Sequence, residues 1–106
     1  MLAEIEVLPN PPGTAEDRYR HVEAAIGVIQ SSGLTYEVDA LGTTLEGEPD
    51  EVWEVLRRAH EAVLAAGAQS VVTVIKVAES GPDRPASTIE SLTGKFREPA
   101  AGMGRG

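Results

Sequence analysis

An α+β fold with the element order strand, helix, strand, strand, helix, strand is predicted by three features of the sequence. Alternating segments at Leu2–Leu8 and Leu34–Ala40 have the period of strands half-buried on one face. Two longer segments carry apolar residues every three or four positions, the period of an amphipathic helix. The run Val71-Val72-Thr73-Val74-Ile75-Lys76-Val77 is dense in β-branched residues, as expected of a strand with little exposed surface.

In the first strand Ala3, Ile5 and Val7 point one way, while Leu2, Glu4, Glu6 and Leu8 point the other. Pro9-Asn10-Pro11-Pro12-Gly13 is expected to stop it, because proline donates no ladder hydrogen bond and asparagine and glycine suit turns. Thr14 can cap the first helix, with Asp17 in the capping-box position and Val22, Ala25, Ile26 and Ile29 on one face. Ser32-Gly33 ends that helix. In the second strand Leu34, Tyr36, Val38 and Ala40 alternate with Thr35, Glu37 and Asp39, and Leu41-Gly42 turns the chain into a third strand, Thr43 to Gly47. Pro49 suits the first turn of the second helix, on which Val52, Leu56, Ala59 and Val63 share a face as far as Gly67. The β-branched run is the last strand. After a loop at Ser80–Pro85, a short helix from Ser87 to Phe96 is expected, capped by Ser87 with Glu90 at the box position.

Two strand–helix–strand units joined by a hairpin make a ferredoxin-like βαββαβ sandwich, with both helices on one face of an antiparallel four-stranded sheet. The other face is expected to stay open, carrying Glu4, Glu6, Leu8, Thr35, Glu37, Asp39, Thr44 and Glu46 beside Leu41. A single domain spans 1–96. Residues 97–106, with three glycines, a proline and alanines, are expected to form a flexible tail, having too little apolar surface to offset the entropy of ordering them.

Composition narrows the function. The 106 residues are 42% hydrophobic and 25% charged, the balance of a globular domain. A formal charge of −8 opposes nucleic-acid binding, which rests on clustered Lys and Arg, and it favours cationic small molecules. The absence of cysteine excludes disulfides, thiol catalysis and Cys-based metal sites. With no signal-like start and no long apolar run, a cytoplasmic protein that does not engage membranes is expected.

No catalytic set is apparent. His21 and His60 lie on different helices without a second histidine at metal-ligand spacing, so surface or core-edge roles are expected; His21, near the end of the first strand, is the one placed to reach a ligand. The stretch Leu41-Gly42-Thr43-Thr44-Leu45-Glu46-Gly47 lacks the spacing and the lysine of a phosphate loop. Carboxylates on one sheet face could act as an acid–base pair or hold a divalent cation, but spacing does not make them converge; no metal or cofactor is assigned. Trp53 reads as a packing residue.

The chain resembles the small thiamine-binding, YkoF-like proteins over residues 2–96. The resemblance is carried by Ala3-Glu4-Ile5-Glu6-Val7-Leu8-Pro9, by Ser32-Gly33-Leu34-Thr35-Tyr36-Glu37-Val38, by Gly42-Thr43-Thr44-Leu45-Glu46-Gly47, and by the last strand; Glu51-Val52 and His60-Glu61-Ala62 lie on the helix between. It implies a ferredoxin-like fold, dimers and tetramers formed through sheets and edges, and binding of thiamine or its hydroxymethylpyrimidine moiety without turnover. The ligand residues it suggests are Glu6, Glu37 and Glu46 for charge, Thr43 and Thr44 for hydroxyls, Tyr36 as an aromatic wall, and Leu8 and Leu41 for apolar contact. His21 stands where the family often has tyrosine. Two other readings stay open: an isomerase-like enzyme of the dimeric α+β barrel class, and a regulatory or structural oligomer that binds no ligand.

Overall fold

The computed structural model describes residues 1–97; most of the expected tail, 98–106, lies outside the described residues. The elements are β1 (Leu2–Asn10), α1 (Arg20–Gln30), β2 (Thr35–Val38), β3 (Thr43–Glu46), α2 (Pro49–Ala65), β4 (Ser70–Ala78) and α3 (Ile89–Thr93), followed by a single 3-10 turn, Gly94–Phe96. The four strands form one antiparallel sheet in the order β2-β3-β1-β4, the ferredoxin-like arrangement.

Register decides which side chains meet. Ala3 lies opposite Leu45 and Val77, and Ile5 opposite Thr43 and Ile75. On β2, Tyr36 pairs with Leu45 and Val38 with Thr43. These residues share the face beneath the helices, where Ala3, Ile5 and Leu45 join Ala25 and Ile29 of α1 and Val52, Leu56, Ala59 and Val63 of α2 in one core. The four α2 positions expected to share a face are all buried. Trp53 is one position, about 100°, off that stripe and keeps 50% of its surface exposed, so it is not a core residue.

Three boundaries differ from the expectation. β1 continues through Pro9, which pairs with Val71; beyond Ile5 the strand has only β4 beside it, and proline is tolerated where one edge of a strand is vacant. Thr14 does not cap α1. Its hydroxyl accepts from the Asp17 amide (3.0 Å) inside a separate turn closed by Thr14 N–H to Asp17 O, and the helix starts only at Arg20. Local side-chain bonding of this kind competes with helix formation. The cap of α3 is Thr88, not Ser87, in a reciprocal box with Ser91, while Glu90 pairs with Arg97 at 2.6 Å.

The outer sheet face is open over only half its width. The amide of Ile89 donates to Glu46 Oε1 (2.6 Å), and Arg97 reaches Glu37 Oε1 (3.7 Å) as well as Glu90. Glu46 and Glu37 stand on β3 and β2, on the side opposite Leu45 and Tyr36, so α3 lies across the β2–β3 half of that face with Ile89 buried beneath it. The β1–β4 half carries Leu8, Val72 and Val74, all exposed, beside Glu6 and the Glu4–Lys76 pair.

Candidate functional site

A cavity of about 400 Å³ opens on the helix side, between α1 and the end of the sheet where β2 turns into β3. That volume is within the roughly 300–1,000 Å³ typical of small-molecule sites. Its floor is apolar: Ile5 and Val7 from β1, and Val22, Ala25, Ile26 and Ile29 from α1. Because the space lies against α1, Val22 and Ile26 stay half-buried while Ala25 and Ile29, on the same stripe, are closed over. Tyr19, Glu23 and Asp39, all exposed, line the cavity, as do Glu6, Ala40, Leu41 and Gly42.

Thr43 is the polar side chain within this apolar wall. It is 4% exposed, and its hydroxyl has no hydrogen-bond partner among the described residues. Its alternation puts it with Ile5 and Val38 on the face beneath the helices. A buried hydroxyl without a partner is uncommon, because leaving it unbonded costs about 1–3 kcal/mol, and a bound molecule in the cavity can supply the missing partner.

The structure divides the nine residues suggested by the sequence into separate groups. Glu6, Leu41 and Thr43 line the cavity. Tyr36 faces the helix side, as its alternation predicts, but lies outside the lining. Leu8, Thr44, Glu37 and Glu46 stand on the opposite face of the sheet, and the carboxylates of the last two are taken up by Arg97 and by the Ile89 amide. Leu41, 83% exposed, projects at the β2–β3 turn next to the cavity.

His21 is set apart from all of these. It is buried, with Nδ1 2.7 Å from the carbonyl oxygen of Pro11; since a carbonyl only accepts, Nδ1 carries the proton of that bond. Its Nε2 faces Gly67, where a β-carbon would come within 3.2 Å and where φ is +124°, so glycine is required twice over. His21 therefore ties the Pro11–Pro12 loop to the end of α2. His60 is engaged as well, with Nδ1 2.6 Å from the Thr73 hydroxyl.

Sequence reasoning missed Tyr19, Val22, Glu23, Ile26 and Asp39. Val22 and Ile26 were legible as an apolar stripe, indistinguishable in sequence from core; Asp39 was assigned to the outer face because strand alternation was carried past Val38, where β2 ends. The resolved shifts in acidity lie elsewhere: the Arg57 guanidinium, hydrogen-bonded to Glu54, holds that carboxyl below its ordinary range and is itself raised, on the exposed surface of α2. No group of three or more His, Cys, Asp or Glu among the described residues is placed to hold a metal ion, and none of the described helices is long and apolar enough to cross a membrane.

Comparison with known proteins matches residues 3–96 to the family described as thiamine-binding protein. The chain belongs to this family. A UPF0045 protein of Methanothermobacter thermautotrophicus is 39% identical over 77 residues, which cover 71% of this chain and 76% of the relative. A domain of unknown function, DUF77, from Bacillus cereus superposes with a TM-score of 0.78 at 39% identity, covering 92% of this chain and 89% of the other. A Thermotoga maritima protein proposed to act in thiamine biosynthesis or salvage superposes with a TM-score of 0.75 at 25% identity, covering 91% and 97%. The family match extends through β4 and the C-terminal helix, so it includes every cavity residue named above.

Proposed function

We propose that this chain binds thiamine or its hydroxymethylpyrimidine moiety, without turning it over, in the cavity between α1 and the β2–β3 turn. The unpartnered, buried Thr43 hydroxyl in an otherwise apolar floor is the observation that carries this reading. An aminopyrimidine offers a flat apolar ring with donors and acceptors on its edge, which suits an apolar slot holding one hydroxyl. Ile5, Val22 and Ile26 would contact the ring faces, Thr43 would bond its edge, and Tyr19 would stack at the mouth. Glu23 and Asp39 would face the cationic thiazolium, while Glu6 borders the cavity from β1 with its side chain on the outer face. The membership of the family and the described role of the Thermotoga relative support the ligand.

Isothermal titration with thiamine and with hydroxymethylpyrimidine tests the reading. Both are expected to bind, and Thr43→Val, which keeps the shape and removes the hydroxyl, is expected to weaken binding by about tenfold, the worth of one hydrogen bond. Its melting temperature should be unchanged or higher, since a buried unpaired hydroxyl is removed. No heat with either ligand would end the proposal.

Self-association is part of the same reading. Leu8, Val72 and Val74 form an apolar patch on the half of the outer face that α3 leaves uncovered, and a second copy of the chain would bury it as a cytoplasmic dimer or tetramer. Val72 is 63% exposed, so Val72→Glu should fold normally. Sedimentation velocity should show wild type as an oligomer and the variant as a smaller species; a wild-type monomer at about 100 μM would exclude an interface of ordinary strength.

A further inference from the structure

We infer that His21, buried outside the cavity, is a positioning residue for it: through its bond to the Pro11 carbonyl it fixes the start of α1, and with it Tyr19 at the cavity mouth. This rests on the cavity being the heterocycle site. Tyr19, Val22 and Glu23 reach the cavity from the N-terminal end of α1, yet no side chain caps that helix. Its first amides are bonded instead to backbone carbonyls of the preceding loop, Arg20 N–H to Asp17 O (3.1 Å) and His21 N–H to Pro12 O (2.9 Å). Amides at a helix start need acceptors, so where these carbonyls stand decides where the first turn lies.

The loop thus shapes the site although none of its residues from Pro11 to Arg18 lines the cavity. Its far end is fixed by Gln69 N–H to Asn10 O (2.9 Å), and its middle folds tightly, since a β-carbon at Gly13 would collide with the carbonyl oxygens of Asp17 and Arg18. The bond from His21 Nδ1 to Pro11 O (2.7 Å) is, among the described residues, the one side-chain hydrogen bond between α1 and the loop. Backbone and imidazole of one residue therefore grip successive carbonyls, at Pro12 and Pro11, while Nε2 lies against Gly67 at the end of α2. At about 100° per residue, Glu23 and the cap residue Tyr19, two positions either side of His21, point away from its ring and towards the cavity. Tyr19 is half-exposed and its hydroxyl has no hydrogen-bond partner among the described residues, so the backbone that His21 secures sets the place of its ring.

Titration calorimetry with thiamine on wild type, His21→Leu and His21→Asn tests the inference, at a temperature where circular dichroism shows each variant folded. Leucine fills the site without a donor, and asparagine restores one at the position of Nδ1. His21→Leu should bind at least about tenfold more weakly than wild type, and His21→Asn within about threefold of it. Val63→Ala, a core change on α2 away from the cavity, should lower the melting temperature while keeping wild-type affinity, which separates positioning from lost stability. The second measurement is a double-mutant cycle with Tyr19→Ala, which should cost about tenfold in wild type but less than about threefold in the His21→Leu background. His21→Met, whose side chain adapts its shape, replaces His21→Leu if that variant does not fold. His21→Leu binding like wild type overturns the inference, as does His21→Asn as weak as His21→Leu, or a Tyr19→Ala cost equal in both backgrounds. Each leaves wild-type binding in the cavity intact. Absence of thiamine binding by wild type removes the cavity reading itself, an outcome distinct from the other three.

Discussion

Leu56→Ala should destabilise the fold by about 3 kcal/mol, within the roughly 2–5 kcal/mol of buried Leu→Ala changes. Leu56 is among the largest fully buried side chains, at 1% exposure, and packs from the middle of α2 into the core shared with Ile5, Leu45 and Ile29. Strand on one side and helix on the other restrict collapse around the deleted atoms, so transfer and cavity costs both apply. Domains of this size have about 5–15 kcal/mol in total, so the loss is a large fraction of what holds the chain folded. For a domain of about 100 residues it corresponds to a drop of more than roughly 10 °C in melting temperature. Urea unfolding at one protein concentration, with an unchanged m-value, is the measurement. A loss below about 1 kcal/mol would mean that α2 does not pack on the sheet as described here.

Val22→Trp should abolish ligand binding, by about a hundredfold or more, while leaving the fold nearly as stable as wild type. Val22 lines the cavity from the first turn of α1 and is half-buried because the space beside it is not filled by protein. The added indole has that space to enter, so overpacking of the core is small, and the slot for a flat ring is closed. Val22→Ala is the matching control: it widens the slot and should lose only the contact of two methyl groups. Calorimetric titration of both variants with thiamine separates the outcomes. Binding to Val22→Trp within a few fold of wild type would place the ligand elsewhere, most directly on the outer sheet face.

The two variants probe parts of the molecule that were unequally legible in the sequence. The core was almost fully legible: Ala3 and Ile5 by alternation, and Val52, Leu56, Ala59 and Val63 by helical period, are all buried. Periodicity reports which side of an element is apolar, and in a two-layer sandwich that side has only one place to go. The cavity was much less legible. Val22 and Ile26 carry the same signal as Ala25 and Ile29, and only the distance between α1 and the β2–β3 turn leaves the first two half-buried beside the cavity while the other two are closed over in its floor. Thr43 was singled out through family resemblance; its burial and lack of a partner come from the register that sets it against Ile5 and Val38.

The outer face illustrates the same division from the other side. Its polarity was visible in Glu37, Thr44 and Glu46, and their alternation with apolar neighbours placed them on that face correctly. What they do there depended on α3, a helix of five residues whose position no local pattern encodes. Its N-terminal amide, at Ile89, needs an acceptor, and the chain beyond it carries Arg97; Glu46 and Glu37 supply the two partners from neighbouring strands.

Element order, strand faces, the helical core stripe and the acidic balance thus follow from the amino-acid sequence, because each depends on residues close together along the chain. Which carboxylates are consumed by internal contacts, where a cavity remains between packed elements, and which buried hydroxyl lacks a partner were decided by tertiary structure. Those properties belong to pairs of residues far apart in sequence, such as Glu46 with Ile89 or Glu23 with Asp39, and packing alone brings them to one place.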